Sequence, residues 1–156
     1  MMTRNGIQAQ RYGPTLLRVI VGVVFFAHGA QKLFVYGLAG VAGSFEALGI
    51  PAPALAAAFA TGVEVLGGAA LILGLWTRYA AAALVFDMMG ALVTVHIGAG
   101  FFLPDGYEFV LTLMGASAAL ALSGAGALAL DNVLGGRRSG EVAVAIGEEE
   151  AKRAAA

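Results

Sequence analysis

The 156-residue chain contains no cysteine, which excludes disulfides, thiol exchange and cysteine-ligated metal. Charge is scarce too. Only 12% of residues are charged, against roughly 25% in an average soluble domain. Nine lysines and arginines nearly balance ten acidic residues for a net charge of −1, leaving no basic surface of the kind nucleic acid requires. No glycine-rich nucleotide loop follows a strand, and no serine nucleophile stands with a base. The two histidines have no spacing that supports a metal or haem site.

What is present is apolar. Hydrophobic residues make up 60% of the chain and the mean hydropathy is +0.85. A domain of this length exposes much of its surface, so the composition points to lipid rather than water. The 23 glycines fall within apolar runs, where small residues let membrane helices approach closely. The length fits one domain.

Four apolar runs of roughly 19–25 residues each match a ~30 Å hydrocarbon core. They predict transmembrane helices over 14–34, 53–75, 79–97 and 106–130. Pro14 suits a first helical turn, and Trp76, Thr77 and Arg78 make runs two and three a tight hairpin. The stretch with Gly49, Pro51 and Pro53 reads as a loop, as does Gly98 to Asp105. Residues 1–12 form a basic segment, expected to be unstructured or interfacial. The membrane domain spans 13–134, and a polar tail occupies 135–156 and includes Glu148-Glu149-Glu150-Ala151-Lys152-Arg153. The predicted fold is an all-α integral membrane four-helix bundle. Arg4, Arg11, Arg78, Arg137 and Arg138 all fall on one face, so the positive-inside rule places both termini on the cytoplasmic side.

Ionisable residues inside the spans carry the functional signal, because a centred charge costs ~2.5–3.5 kcal/mol and so faces the interior and pairs. They are Arg18, His28, Lys32, Glu64, Asp87, His96 and Glu108, with Gln31 beside them. Arg18 lies near the inner face. His28, Lys32, His96 and Glu108 gather in the outer half, with Glu64 and Asp87 beneath them, ~15 Å from a helix end. His28 and Lys32 share a helix face at i, i+4. Arg18, Gly22, Phe25, Gly29 and Lys32 form a stripe expected to face the bundle. Glu64 is expected to pair with Arg18 or His28, and Asp87 to carry a proton or pair across the bundle. Lys32 and Arg18 could equally snorkel to the interfaces, and His96 and Glu108 could be merely interfacial.

The order of these residues resembles the DoxX family of small bacterial membrane proteins. The resemblance rests on Arg18, His28-Gly29-Ala30-Gln31-Lys32-Leu33, then Phe45 and Leu48-Gly49-Ile50-Pro51. It continues through Glu64-Val65-Leu66-Gly67-Gly68, Leu73-Gly74-Leu75-Trp76-Thr77-Arg78, Glu108, Gly124-Ala125-Gly126 and Leu130-Asp131, and so covers Tyr12 to Leu134. Asp87 and His96 belong less clearly to the pattern. The resemblance implies a four-helix membrane bundle. Relatives named DoxD look like a subunit of thiosulfate:quinone oxidoreductase, and mycobacterial members are associated with a membrane redox complex. Without cysteine, a redox role would fall to a bound quinone or a partner.

Three readings follow. The first is a membrane subunit of a redox complex, binding a quinone or small sulfur compound in the outer half. There His28 and Glu64 would exchange protons, while Lys32 and Arg18 offset negative charge. The second is a non-enzymatic assembly or stress-response protein with structural buried charges. The third is a small proton-coupled carrier using Glu64 and Asp87. The expected partners are the lipid bilayer, other redox subunits or a second copy of the chain.

Overall fold

A computed structural model of the protein describes residues 4–135, with side chains from residue 12 onward. Every regular element among them is helical. Helix α1 is Arg4–Gln31 and runs into a wide π turn, Lys32–Tyr36. Helix α2 is Gly37–Ala47, α3 is Pro53–Leu73 and α4 is Thr77–Ala91. A second π turn, Leu92–His96, and a short 3₁₀ turn, Ile97–Ala99, extend α4. Helix α5 is Glu108–Ser123.

Around the bundle α1 packs on α3, α3 on α4, α4 on α5, and α5 more loosely on α1. Each helix turns a stripe of period three to four inward. On α3 the stripe is Ala57, Ala60, Thr61, Glu64, Gly67, Gly68 and Leu71, and on α5 it is Val110, Leu113, Ser117 and Leu120. The outward faces are apolar, as with Leu16, Ile20, Leu66, Phe86 and Leu122, which suits lipid. Three helical stretches, Tyr12–Ala47, Pro53–Leu73 and Thr77–Ala99, are long and apolar enough to cross a membrane, and α5 is a shorter apolar helix. At ~1.5 Å per residue α5 reaches ~24 Å. The protein is an all-α integral membrane protein.

The expected glycine stripe is the α1–α3 seam. A Cβ at Gly22 would stand 2.8 Å from the Gly68 carbonyl oxygen, and one at Gly68 would stand 2.5 Å from the Phe26 nitrogen. The two backbones touch where only glycine fits.

The structure departs from the sequence reading at three places. The segment after the first run is not a loop, because residues 37–47 form α2, which packs on α3. The basic N-terminal segment is helical from Arg4. The last helix ends at Ser123, not near 130, because Gly124 takes φ +84° and breaks the ladder. A separate helical turn occupies 130–135. The acidic tail, Arg137 and Arg138 lie outside the described residues.

Candidate functional site

The inner end of the bundle is a structural lock, and Arg18 is its bolt. Its side chain is 2% exposed and donates to Leu71 O and Ile72 O (2.6 Å each), to Ala125 O (3.0 Å) and to Leu128 O. These carbonyls end α3 and line the break after α5, where a helix leaves acceptors unmatched. Gly74 (φ +67°) ends α3 with Leu75 N bonded to Ala70 O and its own N to Leu71 O, a Schellman cap. A Cβ there would stand 2.8 Å from Arg18 Cζ. Asp131 accepts from Trp76 N (2.6 Å) and Thr77 N (2.9 Å), matching donors at the start of α4. Arg18 therefore joins neither Glu64 nor the outer group. Its fork of five donors suits backbone carbonyls, and separations of 53, 54, 107 and 110 residues hid those partners from sequence reading.

The outer half holds the remaining ionisable groups of the spans. Glu64, its side chain 4% exposed, pairs with Lys32 at 2.7 Å between Oε1 and Nζ. The expected partners were Arg18 and His28. The π turn starting at Lys32 ends the regular α1 register there, a change the i, i+4 count could not anticipate. Glu64 Oε2 is buried and has no hydrogen-bond partner among the described residues. His28 is exposed at the bundle edge, its ring 5.9 Å from that of Phe109. Asp87 is 8% exposed and stands within electrostatic reach of Glu64 and Lys32, with no ion pair among the described residues.

His96 and Glu108 belong to the outer loop more than to open interface. His96 Nδ1 lies 3.0 Å from Asp105 O. Glu108 Oε1 accepts from Leu103 N at 2.9 Å. Backbone bonds from Tyr107 to Gly100, from Glu108 to Phe101 and from Gly106 to Phe102 close the loop on itself. A Cβ at Gly106 would strike the Phe101 and Phe102 backbone. Glu108 is thus a loop brace and lies outside the cavity wall.

Two cavities meet at this level. One, of about 350 Å³, is lined by His28, Lys32, Glu64 and His96 with apolar neighbours that include Phe25, Met88 and Phe109. The other, of about 320 Å³, lies against α2 and is lined by Asp87, Lys32 and His96 among Phe45, Phe59 and Phe86. Lys32, Met88, Ala91 and His96 line both. Two of these shared residues sit on the two π turns, a device frequent at functional sites and invisible in the residue pattern. Such a volume suits small ligands, whose sites span ~300–1,000 Å³ with few polar groups on apolar walls. A larger cavity, about 830 Å³, lies at the inner end among Trp76, Arg78, Gly124 and Asp131. It contains none of the outer ionisable group.

Of the residues that the sequence gathers in one half, the structure brings His28, Lys32, Glu64 and His96 to one cavity wall and Asp87 to the adjoining one, and it leaves Glu108 outside both. Sequence reasoning missed the roles of Asp131 and of Leu103 to Gly106. The only signal for Asp131 was an acidic residue closing the last apolar run. No group of three or more metal-ligating side chains occurs among the described residues.

The DoxX family model matches residues 13–97. Over 131 residues the chain is 35% identical to "Putative oxidoreductase CatD" of Bacillus subtilis, covering 83% of the chain and 93% of that relative. It is 32% identical over 132 residues to "Inner membrane protein YphA" of Escherichia coli, covering 76% of the chain and 89% of that relative. An uncharacterized membrane protein of Mycobacterium tuberculosis is 42% identical over 83 residues, covering 53% of the chain and 50% of that relative. No solved structure matches the chain at a significant level.

Proposed function

Because the chain belongs to the DoxX family of membrane proteins, we propose that it is an inner-membrane subunit of, or accessory to, a quinone-linked redox complex. The ligand headgroup would sit in the cavity between His28, Lys32, Glu64 and His96. The observation that carries this reading is a charged pair, Lys32–Glu64, in the wall of a largely apolar cavity that also holds His28 and His96, with a buried carboxylate oxygen left unmatched among the described residues. Buried polar groups are normally matched, and an intramembrane ionisable group usually marks a substrate or proton path. His28 and Glu64 would exchange protons with the headgroup, and Lys32 would hold its oxygen. The oxidoreductase name of the Bacillus subtilis relative favours the redox class, and the name of the Escherichia coli relative favours the inner membrane. Both termini would face the cytoplasm, on the strength of the arginine distribution.

The test is binding of a quinone analogue to detergent-purified protein, comparing wild type with His28→Ala and Glu64→Gln. Saturable binding that folded variants lose supports the reading, and a wild type that binds nothing refutes it. The Arg18 lock favours a second reading for part of the charge, in which buried ions serve assembly alone. That reading expects the Glu64→Gln variant to alter stability and abundance and nothing downstream.

A further inference from the structure

We propose that the groove between α2 and α4 is a lateral entrance from the lipid to the outer site, and that it seats the hydrocarbon tail of a membrane-dissolved ligand. This rests on the redox reading above and adds to it the ligand's route and the place of its tail.

Helix α2 packs on α3 and on the π turn at Lys32, while α4 packs on α3 and α5. A groove is left between α2 and α4 with α3 beneath it, and the cavity of about 320 Å³ lies there. Phe45 of α2, Phe59 of α3 and Phe86 of α4 all line it. Phe59 and Phe86 are 59% and 70% exposed, whereas Ala60 and Asp87 in the same wall are 8% exposed each. Apolar rings thus stand at the lipid-facing rim, and the carboxylate lies at the depth of the groove. Thr94, also in the wall, donates its hydroxyl to Gly90 O at 2.8 Å, so it adds no unmatched donor.

Lys32 links this groove to the other cavity. It lines both, its side chain is 25% exposed, and it holds Glu64. Toward the outer loop the other cavity is made differently. Leu103, Pro104 and Gly106 line it there, on a loop closed by backbone bonds and by the Glu108 carboxylate. A tail led out past that loop would run toward water, where each methylene costs about fourfold in affinity. Through the groove the tail stays in hydrocarbon. The matching ligand is an amphiphile, with its polar head at Lys32 and its apolar chain between Phe59 and Phe86. A small water-borne compound has no part that fits the rim.

The experiment uses the full chain in detergent and a decylubiquinone analogue that carries a diazirine on its tail, next to the ring. Photolabelling should mark the groove on α2, α3 or α4, and excess decylubiquinone should suppress it. The paired variant is Gly90→Leu, which places a side chain in the groove. A Cβ at Gly90 meets nothing within 4 Å, and leucine favours a helix over glycine. Gly115→Leu is the control, because Gly115 is equally open and lines neither outer cavity. Gly90→Leu should weaken decylubiquinone binding about fivefold or more, and Gly115→Leu should leave it within about twofold. Suppressible labelling confined to α1 or α5, or a folded Gly90→Leu protein that binds as wild type does, overturns the proposal and leaves a quinone site standing. Labelling of the groove that decylubiquinone does not suppress marks a seat for bulk lipid and overturns it as well. A wild type that binds no quinone overturns the quinone reading and this inference together. The labelling map of the wild type decides even where a variant fails to fold.

Discussion

Arg18→Met tests whether the most buried cation of the protein is structural or part of the ligand site. Methionine keeps much of the side-chain length and removes the charge and all the donors. Of the four carbonyls that Arg18 serves, Leu71 O retains a bond from Gly74 N. Ile72, Ala125 and Leu128 lose the donor that the structure gives them. A buried polar group without a partner costs ~1–3 kcal/mol, and since these three bonds are only part-buried the range of ~3–9 kcal/mol is an upper one. Burying the guanidinium itself carried a penalty that the variant no longer bears, which draws the expectation to the lower part, about 3–5 kcal/mol. At a few degrees per kcal/mol for a chain of this size, the midpoint of thermal unfolding in detergent should fall by on the order of 10–20 °C. Arg18→Lys, with its charge and three donors, should recover part of that loss. Quinone-analogue binding by the folded fraction at low temperature should match wild type. A folded Arg18→Met protein with an unchanged midpoint that binds no ligand would falsify the assignment, and would return Arg18 to the outer site.

The α1–α3 seam predicts that Gly68→Ala is destabilising despite the better helix propensity of alanine. The new Cβ meets the Phe26 backbone at 2.5 Å, so the helices must part, at about 1–3 kcal/mol; a midpoint equal to or above wild type in a detergent melt would contradict the contact. The Lys32–Glu64 pair predicts that Lys32→Met, which strands a buried carboxylate, lowers stability by about 3–5 kcal/mol. The Lys32→Met/Glu64→Gln double variant should lie closer to wild type than that single variant. A double-mutant cycle with no coupling would show that the pair does not hold the bundle.

Where the helices cross was legible because hydrocarbon imposes a length on apolar runs, and α3 and α4 begin close to where the sequence places them. Helix α2 was not legible. Its glycines 37, 40 and 43 lower helix propensity, and only packing against α3 recovers what they cost. Of the site, the sequence gathered His28, Lys32, His96 and Glu108 in one half with Glu64 and Asp87 beneath, since charges in a bilayer converge, and four of these six share one cavity wall. The partner of each was not legible. Pairing depends on the π turn at Lys32 and on backbone carbonyls more than 50 residues from Arg18, neither of which leaves a trace in residue spacing. Glu108 was recognised as a member of the outer cluster, but its use as a loop brace needed the fold of residues 100–107.

The lock at the inner end also imposes an order on biogenesis. Arg18 can reach Leu71 and Ile72 once α3 has been synthesised, but its other two acceptors, and the carboxylate that caps α4, lie in residues 125–131. A nascent chain that has inserted α1, α3 and α4 therefore holds a partly matched guanidinium and bare amide donors at the start of α4. The segment 125–131 supplies what is missing. Bundle closure then waits for residues 125–131, and a chain interrupted between Ser123 and Asp131 would present quality-control proteases with an open inner end.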